Sequence, residues 1–401
     1  VIIVNSKIRS FTGEEVGFMG RKSVAVLDVR SSEIAVIVGE RGVNDTFVFK
    51  ASITEDYDGY DEDVFFDEDK LSEAIVRAVT AAEQTCGERI RDLYIGVPGA
   101  FTEAVPKEQV IGFPKKRKIG QKEIEALYES GKEDREGYRF MRASSMIYKT
   151  ADNRRVVDPS GLSSSVLSGI LSYFYCSEYF IGIMDGIFGK MNISAHYLPT
   201  QYAMAVYLIP SETRDEYALL LDVGYLSSSV LVLLGNGVLA QRTFWAGKGQ
   251  IAALIMQRFS IPYDAALALL GKANLYARSN SGRVEFMHRG ASYEIDIDTL
   301  IETVKEGLDD LCENVSAFLE SCSGKELDFK PLYVTGEGLF EIRGALEHVS
   351  KRVNRVCEQL APDLPYYNKP SMSSRIALLD MAAADQRRSG FLYRFFNGFG
   401  G

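Results

Sequence analysis

Val24-Ala-Val-Leu-Asp-Val29, Arg30-Ser-Ser-Glu33, Ile34-Ala-Val-Ile-Val38: two apolar runs joined by a short polar turn. Short runs rich in β-branched residues on either side of a polar cluster predict a β-hairpin. The same phrase returns in the second half of the chain. There it reads Tyr217-Ala-Leu-Leu-Leu-Asp-Val-Gly224, the turn Tyr225-Leu-Ser-Ser-Ser229 and the run Val230–Leu234. Leu27-Asp28-Val29 and Leu221-Asp222-Val223 hold the same place in the two copies. The separation is far wider than the roughly 20–50 residues of a solenoid repeat. It predicts two domains built on one plan and facing each other.

Each copy continues alike. A third strand is expected over Phe47–Ile53, and another over Val238–Phe244 after the hairpin turn Gly235-Asn-Gly237. Leu71, Ala74, Ile75, Ala78, Val79 and Ala82 recur at helical spacing, with Gly87 as a stop signal. Leu93–Val97 is a strand closed by Pro98-Gly99, so the first part runs β-β-β-α-β. Residues 98–177 are more polar, with the basic run Lys115-Lys-Arg-Lys118, a helix over Gln121–Ser130 and a strand over Val166–Phe174. They read as a small inserted subdomain, and the basic run as a solvated turn. Helices are expected near Tyr179–Met191 and Thr200–Leu208, then Gln250–Phe259, Pro262–Leu270 and Asp298–Ser321. Leu332–Gly338 is a strand running into a glycine turn, and 340–360 is expected to be helical.

These signals divide the chain. Residues 1–20 read as an over-extended or disordered N-terminus, because Met19 stands just before the first strand and Gly13-Glu14-Glu15 can be encoded by a purine-rich run like a ribosome-binding site. The first domain takes 21–97 and 178–216, with 98–177 inserted. The second takes 217–255 and 325–386, with 256–324 inserted. A tail, 387–401, follows.

The totals set limits. The formal net charge of −10 argues against a general nucleic-acid binder, which needs a basic surface. Five widely spaced cysteines, an odd number without a C-x-x-C pair, suggest neither a disulfide framework nor a zinc site, and fit a reducing cytoplasm. Three scattered histidines disfavour a histidine metal site. No run of eighteen apolar residues predicts a membrane span. The stretch from Glu55 to Lys70, dense in Asp and Glu, reads as a solvated loop rather than a cation site.

Within this frame the motifs carry a resemblance. Asp28 and Asp222 each sit where a β-hairpin turns, and Val334-Thr-Gly-Glu-Gly-Leu339 forms a glycine loop in the second half. This resembles the actin and DnaK-type superfamily, in which two hairpins grip ATP phosphates and a third loop meets the adenosine. Glycine allows close backbone approach, amides bind anionic oxygens and Asp organises Mg²⁺. Over residues 21–401 the chain is most similar to the FtsA family of bacterial cell-division proteins. Leu27–Ile34, Asp158-Pro-Ser-Gly-Leu162, Leu220–Gly224, Gly247-Lys-Gly249 and Ser373-Ser-Arg-Ile-Ala-Leu-Leu379 stand in the family's order. The resemblance implies an α/β, actin-like (ribonuclease H-like) duplicated two-domain fold with a small inserted subdomain in each half. It also implies self-association into a filament or dimer, and a place on the inner face of the bacterial membrane at the division site.

The resemblance puts Asp28, Arg30, Ser31, Ser32, Asp222, Gly224, Tyr225, Gly247, Lys248, Gly336, Glu337 and Gly338 at a nucleotide site for ATP and Mg. Several depart from the pattern. Arg30 replaces a glycine in the phosphate path, Tyr225 and Leu226 replace small residues, Ser229 replaces an Asp and Glu337 replaces a glycine. Ala265-Ala-Leu-Ala-Leu269 lacks the charged pair of the sugar-contacting helix. Two outcomes stay open: Arg30 and Lys248 neutralise phosphates in an altered site, or the cleft only holds shape. No acid or glutamine is placed to orient water, which disfavours hydrolysis.

In the tail, Phe391, Leu392, Phe395, Phe396 and Phe399 share one helical face with Arg394 outside it, after a linker-like Asp385–Gly390. Aromatics beside arginines suit a helix lying in the membrane interface. The resemblance further implies that the second insertion receives the acidic tail of FtsZ, with Arg258, Arg278, Arg283 and Arg289 as candidate partners. Two other functions compete: a PilM-type adaptor of a membrane assembly, which needs no aromatic tail, and a sugar kinase or chaperone-type ATPase, which needs intact phosphate loops.

Overall fold

The computed structural model describes residues 2–4, 23–42, 47–152, 154–277, 282–322 and 325–397. Residues 2–4, 325 and 388–397 are described as backbone only. The two hairpin copies head two sheets of matching topology. In the first, the strands lie in the order Ile2–Val4, Phe47–Asp56, Glu33–Arg41, Val24–Val29, Asp92–Val97, Ser194–Pro199. In the second the order is Gly237–Phe244, Ser228–Leu234, Tyr217–Val223, Leu332–Gly336, Cys357–Gln359. Each sheet has an antiparallel three-strand meander followed by two parallel strands. Val24–Val29 is buried along its whole length, as expected of a central strand covered on both faces, which reads as an unbroken apolar run.

Local chemistry fixes the helix ends. Helix Glu68–Cys86 starts where the Asp67 carboxylate accepts from the Lys70 amide at 3.0 Å, and stops at Gly87 with φ 69°. Its apolar face covers the first sheet, and helix Ile297–Ser321 contributes Leu300, Val304, Leu308, Leu311 and Val315 to the core of the second half. Between the sheets lies a third core. Helices Thr200–Leu208 and Ser373–Asn397 pack on each other and on both sheets, through Ala203, Met204, Ile376, Leu378 and Leu379 against Val24, Val26, Leu220 and Leu231.

Residues 102–177 form a four-stranded antiparallel sheet backed by helix Gln121–Ser130. It rests on the second half's hairpin. The Ser172 hydroxyl donates to the Val238 carbonyl at 2.6 Å and accepts from the Val238 amide at 2.7 Å.

Five local expectations are corrected. Ile2–Val4 does not precede the fold but pairs with Phe47–Phe49 at the edge of the first sheet. Glu55–Lys70 is no solvated loop, since Tyr60–Asp61 pairs with Val64–Phe65 and Tyr57, Tyr60 and Phe65 are buried. Lys115–Lys118 is no turn but the exposed end of strand Thr102–Lys118, whose pairing with Ser163–Ser177 outlasts the alternation signal. Over 340–360 the helix is only Ala345–Arg352, after which the chain turns to place Cys357–Gln359 on the sheet edge. Asp385–Gly390 is no linker, since the closing helix runs unbroken from Ser373 to Asn397.

Candidate functional site

Asp28 and Asp222 end the first strand of each hairpin, so the topology points them at each other across the interdomain cleft. The space between is filled from within. Arg30, from the first turn, is buried, and its Nη1 donates to Ser374 Oγ at 3.1 Å and to the Ser371 carbonyl at 3.3 Å. Its Nε lies 3.4 Å from Glu337 Oε1 of the third loop. Ser374 Oγ passes on a hydrogen bond to Asp28 Oδ2 at 2.6 Å. Arg375 pairs with Glu33 and stands 3.7 Å from Asp28. On the far wall, Gln201 Nε2 reaches Asp222 Oδ2 at 3.5 Å.

The electrostatics follow from this packing. Burial disfavours the charge on Arg30, but the summed attraction of Glu337, Asp222, Asp28 and Glu33 outweighs it and raises the pKa above the ordinary arginine value. Burial raises the Asp222 carboxyl, and Arg30 pulls it partly back. Glu33 is likewise raised by burial and opposed by Arg375.

Several backbone donors around the cavity are spent as well. The amides of Gly247, Lys248 and Gly249 go to Gln250 Oε1, the Gly224 carbonyl and the Tyr225 carbonyl at 2.9, 3.2 and 2.7 Å. The Leu226 amide donates to Ser31 Oγ at 3.0 Å, and the Gly338 amide to the Val223 carbonyl at 2.9 Å. Gly336, at φ 95°, brings the third loop so close that a Cβ there would lie 2.3 Å from the Val223 carbonyl oxygen.

What remains between the hairpins is a cavity of about 20 Å³. A single water needs roughly 10–15 Å³, whereas small-molecule pockets run to roughly 300–1,000 Å³. Asp28 Oδ1, Asp222 Oδ1 and Gln201 Oε1 are buried without a hydrogen-bond partner and suit one water. The residues present do not fit ATP with Mg²⁺. A guanidinium occupies the phosphate path, and the carboxylates that would organise the metal are its counter-ions.

Of the expected site residues, Asp28, Arg30, Ser31, Asp222 and Gly224 line this cavity, and Glu337 meets it through Arg30. Ser32 and Tyr225 face a separate, wider groove. Lys248 pairs with Glu341, and Gly247, Gly336 and Gly338 are held by the backbone contacts above. Sequence reasoning missed Ser374, Arg375 and Gln201, which meet the hairpins only through the fold.

The candidate partner-binding arginines are not gathered on one carboxylate. Arg258 pairs with Glu306 at 2.7 Å, Arg283 with Glu294 at 3.3 Å and Arg289 with Asp264 at 2.8 Å. Arg278 lies outside the described residues, as do Phe399 and the side chains of Phe391, Leu392, Arg394, Phe395 and Phe396.

No family model and no curated protein matches the sequence. Solved structures do match over nearly the whole chain. One is the PilM–PilN type IV pilus biogenesis complex, at 14% identity and TM-score 0.61, covering 91% of this chain and 99% of that one. Another is MreB 5 of Spiroplasma citri bound to AMPPNP, at 8% identity and TM-score 0.56, covering 92% and 98%. A third is the MamK double helical filament, at 13% identity and TM-score 0.51, covering 90% and 98%. With the paired sheet topologies, these likenesses assign the chain the actin-like ATPase fold, with two sheet-containing domains on either side of a cleft.

Proposed function

We propose that this chain is a non-hydrolysing actin-fold scaffold of the FtsA kind. Its copies associate, its C-terminal segment holds the assembly to the inner face of a bacterial membrane, and its second insertion receives the acidic tail of an FtsZ filament. The observation that carries the first part is Arg30. The chain's own guanidinium stands between the two hairpin aspartates, where a nucleotide phosphate would lie. Self-association is supported by the likeness to a filament of MamK, and work with a partner protein by the likeness to PilM in complex with PilN. Membrane attachment rests on the sequence of 387–401. Burying one such aromatic fully is worth roughly 1.5–3 kcal/mol, and interfacial burial is partial. One tail therefore holds weakly, and an assembly presenting many holds firmly through effective concentration.

Co-sedimentation with anionic vesicles tests the proposal, comparing the full chain with one ending at Arg388, each with and without ATP-Mg. Pelleting that needs the tail and rises cooperatively with protein concentration is expected, with no effect of ATP-Mg. Pelleting without the tail, or none under any condition, would remove the tether and leave an adaptor of the PilM type. An effect of ATP-Mg would refute the sealed cleft.

A further inference from the structure

Beside this small cavity, and sharing Ser31 with it, a groove of about 700 Å³ opens between the domains. Its second-domain wall is apolar and aromatic, with Tyr225, Leu226, Trp245 and Tyr263. Tyr225 and Tyr263 are tied by a 2.6 Å hydrogen bond between their hydroxyls. Phe66 faces them from the first domain and meets Trp245 edge-on, with ring centroids 6.2 Å apart. Both rings are held in solvent, Phe66 54% and Trp245 43% exposed, and Trp245 is the chain's single tryptophan.

Charge selects the occupant. The charged part of the first-domain wall is acidic, Asp56 and Asp58 beside Ser31 and Ser32, and among the described residues no lysine or arginine lines the groove. Beyond it the hairpin that carries Phe66 adds Asp61, Glu62 and Asp63. Among the described residues, only Asp58 of these five acids has an ion-pair partner within 4 Å, Lys70 at 2.7 Å. An anionic ligand such as a nucleotide is repelled here. A cation gains from the carboxylates and from the faces of Trp245 and Phe66.

We propose that this groove is a docking site for a short basic segment of a partner protein, anchored by an aromatic or aliphatic side chain packed against the Phe66–Trp245 pair with its arginines or lysines on Asp56 and Asp58. Because the walls belong to different domains, the segment bridges them in the cleft where Arg30 already holds the deeper contact. The site calls on neither the membrane nor self-association, so it stands or falls separately from the tether.

The test uses the full chain and the emission of Trp245. One probe is a capped, tryptophan-free peptide alternating Arg with Leu and Phe. The control carries Glu in place of every Arg. A saturable change in Trp245 emission is expected with the basic peptide and not with the acidic one, weakening as salt rises from about 0.05 to 0.3 M. Phe66→Ala and Asp56→Lys should each weaken binding at least about tenfold, the loss of a central anchor or a complementary charge. Thermal melting of each variant establishes that it folds, and calorimetry repeats the titration without relying on the tryptophan. No saturable binding by either method, equal binding of the two peptides, or unchanged binding in both variants would overturn the proposal.

Discussion

At the residue scale, Arg30 sits among more negative charge than one guanidinium cancels: Asp28, Asp222, Glu33 and Glu337, with Arg375 as the other nearby cation. Replacing it by methionine keeps the bulk and removes the charge. Leaving buried carboxylates unpaired should cost about 3 kcal/mol near neutral pH. The pH dependence has a definite sign. Burial already raises the Asp222 carboxyl, and without Arg30 it climbs further. A raised folded pKa contributes stability that is present at low pH and lost as pH rises through it. The gap between the native chain and Arg30→Met should therefore be small below about pH 4, where the raised Asp222 carboxyl is protonated with or without Arg30, and widen toward pH 8. Urea unfolding across that range measures it, and a gap independent of pH would mean that Arg30 acts by shape alone. The arginine itself was legible in the sequence as an intruder in a phosphate loop. Glu337 was legible too, as an acid in the glycine loop, whereas Ser371 and Ser374 could not be placed on Arg30, because they are 341 and 344 residues away and meet it only through the fold.

At the element scale, the closing helix is seated on the first sheet through Leu378, against a strand position kept empty by Gly96. A Cβ on Gly96 would lie 2.4 Å from Leu378 Cδ1 and 2.7 Å from Thr200 Oγ1. Gly96→Leu should overpack this seam and cost about 1–3 kcal/mol, read as a lowered urea midpoint at unchanged slope. The four-stranded sheet offers a second test. Ser172→Val removes both hydrogen bonds to Val238 and leaves its buried amide and carbonyl unpaired, at a cost of about 1–3 kcal/mol. Faster amide exchange at Val238 than at the core strand Leu219–Val223 would be its signature; equal exchange would show that the contact is incidental. Helices such as Gln121–Ser130 were legible to the residue, because their periodicity and flanking glycines are local. The long strands were not. Thr102–Lys118 and Ser163–Ser177 persist through polar positions because their partners hold them, and the helix from Ser373 crosses Gly390 without a break.

At the scale of the whole molecule, the duplication was legible because each half repeats its own strand–turn–strand phrase, whereas the state of the cleft depends on how the halves meet. That meeting is cationic: Arg30 leaves the first hairpin and ends on Glu337 of the second domain and on the start of the closing helix. Arg375 of the closing helix adds a second ion pair, on Glu33, and Gln201 reaching Asp222, Tyr60 touching Ser227 and Ser31 receiving the Leu226 amide add single hydrogen bonds or contacts across the same gap. Arg30→Gly should therefore loosen the hinge without unfolding either domain. Its expected signs are a larger radius of gyration by solution scattering and faster exchange in the turns after Asp28 and Asp222, with the outer strands unchanged. It should not create a nucleotide site, because Glu337 stays in the third loop and the amides of Gly247 to Gly249 remain bonded to Gln250 and the second loop. Adding ATP-Mg to the glycine variant should leave both signals where the substitution put them. If ATP-Mg restored compactness in Arg30→Gly but did nothing to the native chain, Arg30 would be a plug in a working site. If the substitution altered neither scattering nor exchange, the domains would be held by their shared helical layer, and the cation would be only its neighbour.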